Sequence, residues 1–406
     1  MVEGTILQAV PRLDTGGSEQ AAVEIAEALT CAGAFALVAT EGGRMATAIT
    51  GAGGEIVPLP MASKNPITLL ANARRLTRLI EERGVDLVHA RSRAPAWSAL
   101  LAARRTGRPF VTTYHGAYGS PGPFKTAYGS VMARGDRVIA NSLYTAGLIA
   151  ARYQVARERI RVIYRGVDLT KFSPEAIAPA RLARLRAAWG VSEKQPVVLQ
   201  AARLTSWKGQ PLVIEAARQL LGENRLGQAV FVLAGDAQGR EAYRNELEQL
   251  ITAYGLAGRV KLPGHCDDMP AAFAIAQVAV IASTSAETFG RTSIEAQAMG
   301  CPVIVSDIGA APETIIRASQ GGQDHTGWVV PCRDPAAIAL HIADMLALTR
   351  QEREALGERA RRHVAAKFAL GQMQRATLAV YDELLGTHLA GRFDERISPS
   401  LSPGSC

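Results

Sequence analysis

The chain contains two series of short apolar segments, and these constrain the fold more than any other feature of the sequence. Within the segments, apolar residues follow one another without regular alternation with polar residues. Such runs are typical of parallel strands that are covered on both faces. The predicted strands are Thr5–Val10, Phe35–Ala39, Val85–His89, Phe110–Tyr114, Val138–Ala140, Ile160–Ile163, Val197–Ala201, Val230–Ala234, Val260–Leu262, Val278–Ala282 and Val303–Val305.

Amphipathic stretches lie between these segments. Their apolar residues recur at helical intervals, which predicts helices that cover a sheet. Alternation of such helices with parallel strands indicates a doubly wound α/β domain. Because the pattern occurs twice, we predict an α/β fold of two Rossmann-like domains, a size that 406 residues accommodate. The predicted helices include Glu19–Leu29, Leu70–Ile80, Pro211–Leu221 and Arg240–Tyr254.

The domain boundaries are predicted from where the strand pattern stops. We assign residues 1–168 to a first domain and residues 196–371 to a second. Residues 169–195 mix proline, glycine and charge without a strand pattern, which indicates a linker. A helix is predicted near residues 372–386, and residues 387–406 have the composition of a disordered tail.

Two basic residues follow the first predicted strand of the second domain. In open α/β sheets, ligands bind beyond the carboxyl ends of the strands, so the loops at those ends are the places to search. Arg203 and Lys208 lie in such a loop, before a helix that starts near Pro211. A planar guanidinium and a point-charge ammonium before a helix start are suited to a pyrophosphate. A solvated pair of loop cations is the alternative interpretation.

The stretch SAETFGRTSIEAQAMGCPVIVSD, residues 285–307, places two carboxylates eight positions apart. Glu287 precedes a predicted helix, and Glu295 is expected in its first turn, with Thr292 or Ser293 as the N-cap. Carboxylates accept hydrogen bonds from hydroxyl groups, and the free N–H groups of a helix start can hold a phosphate. Glu295 taken alone is also explained as a helix-start glutamate that is favourable to the helix dipole. Together, the two carboxylates and the helix start predict a clamp for a sugar, a diphosphate and a ribose.

Two loops of the first domain carry further candidates. Gly16 and Gly17 follow the first strand and precede Ser18, the predicted N-cap of a helix, so backbone N–H groups can approach an anion there. A tight strand-to-helix turn explains the same glycines. His115 ends a strand within TTYHGAYGSPGPFK, beside a Gly/Pro-rich loop. A lone histidine is more often structural than catalytic, but this position raises the odds of a functional role.

Several longer segments together resemble a known family. GGSEQAAVEIAEAL, VHARS, TTYHG, VIANS, RVIYRGVDLTKF, AARLTSWKG, LAGD and LPGH occur in this order, followed by E-x7-E with AMGCPVIVSD. The set resembles the retaining glycosyltransferases of family 4, over roughly residues 4–385. The resemblance implies the GT-B architecture, in which two Rossmann-like domains face each other across a cleft and a C-terminal helix crosses back onto the first domain.

The resemblance also implies a role for each matching residue. Arg203 and Lys208 would grip the donor diphosphate and stabilise the departing nucleotide. Glu287 would contact hydroxyl groups of the transferred sugar, Glu295 would bind the ribose hydroxyl groups, and His115 would lie near the reacting carbon. The other positions implied to bind the nucleotide-sugar are Gly16 and Gly17 at the diphosphate, His265 near the base, and Phe289, Gly290, Arg291 and Thr292 around the sugar and phosphate.

The expected chemistry uses no metal and no other cofactor. The sequence has no Asp-x-Asp motif, so Arg203 and Lys208 would take the place of a metal at the leaving diphosphate. No residue stands out as a nucleophile. We therefore predict a same-face mechanism, in which the departing phosphate helps to deprotonate the acceptor.

The first domain holds most of the positive charge. Residues 1–180 contain 21 Lys and Arg against 14 Asp and Glu, in a chain of net charge +8. A lipid-linked or acidic acceptor would suit this charge. The alternative interpretation is a solvated basic surface that binds no ligand. In LLANARRLTRLIEERG, Leu70, Leu76 and Ile80 share a face opposite several arginines. This pattern predicts a core helix with a wet face, with peripheral contact at the inner membrane as the alternative.

Sequence detail such as SVMARGDRVIANS resembles bacterial lipopolysaccharide-core glycosyltransferases, including mannosyltransferases. This resemblance favours GDP-mannose as the donor and a lipopolysaccharide-core acceptor. UDP-glucose, UDP-galactose and UDP-N-acetylhexosamines stay open as donors for a transferase of cell-envelope polysaccharide. A nucleotide-sugar 2-epimerase can share the architecture and is a further alternative. No nucleic-acid module is recognised, and neither a signal peptide nor a membrane span is predicted, which favours the cytoplasm.

Overall fold

The computed structural model describes residues 3–14, 16–116, 122–318 and 324–397. The chain divides into two compact units, one formed by Met1–Tyr164 with Gly371–Cys406 and the other by Arg165–Leu370. Each unit is built around one sheet, and all paired strands in both sheets are parallel. The predicted α/β fold with two doubly wound sheets is confirmed.

The sheet of the first unit has seven strands within the described residues. The strands are β1 (Thr5–Ala9), β2 (Phe35–Thr40), β3 (Glu55–Pro58), β4 (Leu87–Ala90), β5 (Phe110–Tyr114), β6 (Arg137–Ala140) and β7 (Ile160–Val162). The helices between and after them are α1 (Gly17–Cys31), α2 (Ala46–Gly51), α3 (Pro66–Glu82), α4 (Arg93–Thr106), α5 (Pro123–Gly129) and α6 (Leu143–Tyr153). Across the sheet the order is β3-β2-β1-β4-β5-β6-β7.

The second unit follows the same plan with six strands in its described part. Its strands are β8 (Val197–Ala201), β9 (Val230–Ala234), β10 (Val260–Gly264), β11 (Ala276–Ile281), β12 (Val303–Ser306) and β13 (Gly327–Val330). Its helices are α7 (Pro179–Trp189), α8 (Gln210–Gly222), α9 (Glu241–Ala253), α10 (Met269–Ile275), α11 (Arg291–Ala298), α12 (Pro335–Ala347) and α13 (Arg350–Lys367). Across the sheet the order is β10-β9-β8-β11-β12-β13.

Two strands escaped the sequence analysis, and both lie at an edge of their sheet. Strand β3 pairs only with β2, and β13 pairs only with β12. Both are only partly buried, unlike the central strands β4, β9 and β12, which are buried throughout. An edge strand is covered less than a central one, which weakens the apolar run that reveals a central parallel strand, although the edge strands β7 and β10 kept enough of it to be predicted.

Helix α3 presents both apolar and basic side chains to solvent. Asn65 caps it by accepting a hydrogen bond from the Ile67 N–H at 2.9 Å. Leu76 and Ile80 are buried as predicted, but Leu70 is 56% exposed and Ile67 is 78% exposed. The prediction that Leu70 lies on the buried face is therefore wrong. No helix in the described part of the chain is both long enough and apolar enough to span a membrane.

Helix α14 (Leu370–Leu385) packs on the first unit through buried polar contacts. Tyr381 Oη lies 2.6 Å from His89 Nδ1, and His89 Nε2 lies 2.7 Å from Thr113 Oγ1. Burial lowers the pKa of His89 well below its usual value and raises the pKa of Tyr381 to about 12. Both side chains are therefore neutral near pH 7, and they join α14 to β4 and β5 without burying a charge.

A further helix, α15 (Leu389–Ile397), lies where the sequence analysis predicted a disordered tail from residue 387. The Asp382 carboxylate accepts hydrogen bonds from the Leu389 and Ala390 N–H groups, at 2.7 and 2.9 Å, which satisfies the start of the helix. Leu389 and Phe393 are buried. The prediction is therefore wrong for residues 389–397, because a cap supplied from α14 and two anchoring apolar residues order this segment. Residues 398–406 lie outside the described residues.

Residues 169–195, assigned to a linker from the sequence, fall within the second unit and contain α7. Arg181 of α7 forms a two-pronged ion pair with Asp268, which caps α10, at 2.6 and 2.9 Å. Trp189, the last residue of α7, is buried. This segment therefore contributes to the packing of the second unit.

Candidate functional site

The centre of the second sheet is the point where its strand order reverses. Strands β8, β9 and β10 extend to one side, whereas β11, β12 and β13 extend to the other. In open α/β sheets, the loops that leave two neighbouring strands at such a point diverge and open a crevice at their carboxyl ends. The loops after β8 and β11 carry most of the candidate residues of the second unit. The topology therefore brings two separate sequence motifs to one place.

An ion pair joins these two loops. The Lys208 ammonium donates a hydrogen bond to Glu287 Oε2 at 2.7 Å. The Ser283 hydroxyl donates to the other oxygen, Glu287 Oε1. The Lys208 and Glu287 side chains are only 15% and 17% exposed, and Ser283 is buried. The carboxylate is thus held at both oxygens, in a site with little access to water.

The Lys208 side of this pair is fixed by its own loop. The Lys208 ammonium lies 4.4 Å from the centre of the Trp207 ring, a cation–π contact. The Lys208 carbonyl accepts a hydrogen bond from Gln200 Nε2 at 2.7 Å, and the Trp207 carbonyl accepts one from the Thr284 N–H at 2.8 Å. These contacts tie the loop after β8 to the loop after β11.

Glycine is required at two close backbone approaches around the site, one between the loops after β8 and β11 and one between the loops after β11 and β12. Gly209 has φ of +73°, and a Cβ atom there would lie 1.9 Å from the Ala282 carbonyl oxygen. Gly309 has φ of +65°, and its Cβ would lie 2.5 Å from the Glu287 carbonyl oxygen. Any side chain at either position would force the backbone of the site apart.

The start of α11 differs from the prediction. Its N-cap is Gly290, with no side-chain cap, so neither Thr292 nor Ser293 caps the helix. Ser293 is buried and its Oγ lies 2.7 Å from Thr314 Oγ1 instead. Glu295 is the fifth residue of the helix and lies beyond its first turn. Because no side chain closes this helix start, its N–H groups remain suited to an anionic ligand.

The residues around this helix start have different environments. Phe289 is buried, with its ring centre 5.9 Å from that of Phe368, so it anchors the loop. Arg291 is the first residue of the helix, and its Nε lies 3.4 Å from Glu295 Oε1. Thr292 follows it in the first turn and is partly buried.

Among the described residues, no hydrogen bond, ion pair or ring contact joins Arg203 or His265 to the Lys208–Glu287 pair. Arg203 is exposed, and its carbonyl accepts a hydrogen bond from Gln210 Nε2 at 2.9 Å. His265 follows β10, its imidazole is 67% exposed, and its Nε2 lies 3.0 Å from Asp267 Oδ1. Their roles in ligand binding stay predictions.

The candidates of the first unit also lie where strands end. Helix α1 begins at Gly17 with Gly16 as its N-cap, so the prediction of Ser18 as N-cap is wrong. Ser18 Oγ donates to Glu19 Oε2 at 2.7 Å instead. His115 directly follows β5 and is partly buried. Residues 117–121 of the adjacent Gly/Pro-rich loop lie outside the described residues.

The sequence analysis missed two residues that shape the site, Ser283 and Gly209. Ser283 lies two residues beyond β11, and a single serine after a strand gives no distinctive signal. Gly209 follows Lys208 within WKGQP, two residues before the proline of the predicted helix start. A glycine so close to a proline could have been taken as a sign of a tight turn.

The fold and the site define a GT-B type protein, and comparison with known families agrees. The family model described as "Glycosyl transferases group 1" matches residues 183–363, and that described as "Glycosyltransferase Family 4" matches residues 15–171. A glycosyltransferase of known structure from Rickettsia africae is 32% identical, with a TM-score of 0.86, over 95% of this chain and 100% of that chain. The chain therefore belongs to the family 4 glycosyltransferases.

Curated relatives carry a narrower description. D-inositol 3-phosphate glycosyltransferase 1 of Catenulispora acidiphila is 33% identical over 63% of this chain and 62% of its own length. D-inositol 3-phosphate glycosyltransferase of Geodermatophilus obscurus is 32% identical over 78% of this chain and 69% of its own length. The chain thus spans less than two thirds of the first of these two relatives.

We expect Gly209→Ala to destabilise the second unit by more than about 3 kcal/mol, because the new Cβ would collide with the Ala282 carbonyl in a left-handed backbone conformation. Chemical denaturation measures the change in the free energy of unfolding. Gly222→Ala at the other end of α8 is the matched control. Its Cβ meets nothing within 4 Å, so it should be neutral or stabilising by up to about 1 kcal/mol. Equal stability of the two variants would contradict the close approach of the loops.

Proposed function

We propose that the chain is a retaining glycosyltransferase that moves a hexose, with mannose favoured, from a nucleotide-sugar to a lipopolysaccharide-core or other lipid-linked glycan acceptor. The observation that carries this proposal is the largely buried Lys208–Glu287 pair beside the start of α11, where Gly290 is the N-cap, at the strand-order reversal of the second sheet. A cation, a carboxylate and a helix N-terminus together match a ligand that carries both hydroxyl groups and a diphosphate.

The ion pair leaves both partners able to bind a donor. An ionised carboxylate has about four lone-pair positions, of which Lys208 and Ser283 use two on Glu287. The remaining positions can accept hydrogen bonds from sugar hydroxyl groups. The Lys208 ammonium has three N–H donors, one of which is used by Glu287, so the others can reach phosphate oxygens. The same pair can therefore position the sugar relative to its diphosphate.

The chemical step breaks the bond between the anomeric carbon and a phosphate oxygen. Negative charge develops on the leaving diphosphate, and Lys208, Arg203 and the N–H groups at the start of α11 would stabilise it. The acceptor oxygen forms the new bond on the same face, and its proton passes to the departing phosphate. No metal or cofactor is required in this scheme, because the cations of the chain neutralise the leaving group.

The acceptor is expected to be anionic or lipid-linked, because the first 180 residues hold most of the chain's excess positive charge. The exposed Ile67 and Leu70 on α3, beside the exposed Arg74, Arg75 and Arg78, support peripheral contact with the cytoplasmic face of the inner membrane.

The relatives named D-inositol 3-phosphate glycosyltransferases favour a second candidate acceptor, a phosphorylated cyclitol. A phosphorylated cyclitol is anionic, so it would suit the same positive charge as an anionic lipid-linked acceptor.

We expect GDP-mannose to stabilise the protein more than UDP-glucose, UDP-galactose or UDP-N-acetylglucosamine does. A ligand that binds only the folded state adds about 2.7 kcal/mol at about 100 times its Kd, so the correct donor should raise the melting temperature selectively. Thermal shift identifies the donor and calorimetry gives its Kd. Selective stabilisation by a UDP-sugar would replace mannose as the transferred sugar. No response to any nucleotide-sugar would contradict the proposed function.

Transfer should continue unchanged after treatment with excess EDTA, because Lys208 and Arg203 supply the positive charge at the leaving group. The rate of nucleotide release in the presence of acceptor measures this, with EDTA already saturated with Mg²⁺ as the control. Loss of transfer that Mg²⁺ or Mn²⁺ restores would show that a metal is required.

A further inference from the structure

Gln210 supports the main chain at Arg203. It is the first residue of α8 and is only 1% exposed. Its Nε2 donates a hydrogen bond to the Arg203 carbonyl oxygen at 2.9 Å. The Arg203 side chain is exposed, so the main chain that carries it sets the place from which it can reach a ligand. The buried amide therefore fixes the base of an exposed cation.

A second hydrogen bond fixes the orientation of the Gln210 amide. The Tyr243 hydroxyl, on α9, lies 3.1 Å from Gln210 Oε1 and donates to it. Burial raises the pKa of Tyr243 to about 12, so the hydroxyl keeps its proton at neutral pH. Because the Arg203 carbonyl can only accept a hydrogen bond, the Gln210 amide turns its NH2 group toward this carbonyl and its oxygen toward Tyr243. The hydrogen bonds from α9 to Arg203 therefore all run in one direction.

The other cation of the same loop is supported in the same way. Gln200, which lies in β8 and is 2% exposed, donates from Nε2 to the Lys208 carbonyl oxygen at 2.7 Å. One buried glutamine thus precedes the loop and one follows it. Each holds the main chain of a basic residue that is expected at the donor diphosphate.

A purely structural role is the alternative explanation for Gln210. A buried amide needs hydrogen-bond partners wherever it lies. The loop is also held by the Ala202 and Leu204 N–H groups, each of which donates to a main-chain carbonyl at 3.0 Å. These two bonds hold the neighbours of Arg203, whereas Gln210 holds Arg203 itself. A role confined to folding would change stability without changing how Arg203 contributes to ligand binding.

We propose that Gln210 is a positioning residue that directs Arg203 toward the donor diphosphate; this inference rests on the proposed nucleotide-sugar function. A diphosphate binds more tightly when its cations are already in place, because less loop and side-chain freedom is lost on binding. Without the Gln210 amide, the main chain at Arg203 gains freedom, and the guanidinium reaches the phosphate oxygens less often. Gln210 thus acts on the ligand through Arg203, and this dependence can be measured.

The test is a double-mutant cycle on nucleoside diphosphate affinity. UDP and GDP are titrated calorimetrically into the wild-type protein, Arg203→Ala, Gln210→Met and the double variant. For the diphosphate that the wild type binds, we expect Arg203→Ala to weaken binding about tenfold or more, the size of one hydrogen bond to a charged group, and Gln210→Met to weaken it about threefold or more. In the Arg203→Ala background, Gln210→Met should cause no further loss, because the cation that it positions is already absent.

Two further variants serve as the control and as a milder probe. Gln374 is also buried and donates to a main-chain carbonyl, that of Glu24, at 2.8 Å in the first unit, so Gln374→Met should leave diphosphate affinity unchanged. Tyr243→Phe removes only the hydrogen bond to Gln210 Oε1. It should weaken binding in the wild-type background and have no effect after Arg203→Ala, so it decides the question if Gln210→Met does not fold.

The outcomes separate this inference from the proposed function. Unchanged affinity in Gln210→Met, or an equal loss in both backgrounds, would overturn the positioning role while the proposed function stands. Full affinity in Arg203→Ala would also overturn it, because Arg203 would then not contact the diphosphate. If the wild-type protein binds neither UDP nor GDP, the proposed function falls, and this inference falls with it.

Discussion

The Lys208–Glu287 ion pair is the interaction on which the site depends. It joins two loops that are almost eighty residues apart in sequence, with 2.7 Å between Lys208 Nζ and Glu287 Oε2. The pair forms only because β8 and β11 are neighbours in the sheet, where the strand order reverses. Because the pair is only 15% and 17% exposed, removing one partner would leave the other charge poorly solvated, so the two loops are energetically coupled as well as close.

The surrounding backbone is arranged to permit this pair. Gly209 and Gly309 allow approaches that a Cβ would forbid, and Ser283 holds the second oxygen of Glu287. The same loop ends at an α-helix that no side chain caps. A site of this kind has its charges aligned before a ligand arrives, so little reorganisation is needed when charge develops on a leaving group.

Much of the architecture could be predicted from the sequence, because central parallel strands such as β9 and β12 are continuous apolar runs. Partial burial weakens that pattern at the sheet edges, where β3 and β13 were missed although β7 and β10 were predicted. Helix α15 was missed because its order depends on the distant carboxylate of Asp382 and on burial of Leu389 and Phe393. These interactions are tertiary and have no local sequence signal.

The candidate site, like the fold, contains residues that the sequence indicated and features that it did not. Lys208 and Glu287 stood out because they are charged residues in loops at the carboxyl ends of predicted strands, where ligands bind. Glu295 stood out because it lies on the other side of the same predicted helix start from Glu287. The N-caps of α1 and α11 were assigned to hydroxyl residues, but glycines occupy both positions. Hydroxyl residues are strongly preferred at N-caps, but glycine costs only about a few tenths of a kcal/mol relative to them, so the preference does not exclude a glycine N-cap.

The central claim is that Glu287 recognises the sugar while Lys208 serves the diphosphate. The most direct test is to titrate a nucleotide-sugar and the matching nucleoside diphosphate into the wild-type protein and the Glu287→Gln variant, with Glu215→Gln at a surface ion pair as the control. The account predicts that Glu287→Gln weakens binding of the nucleotide-sugar about tenfold or more, while the affinity for the nucleoside diphosphate changes by less than about threefold. Equal loss for both ligands, or no loss for either, would contradict it.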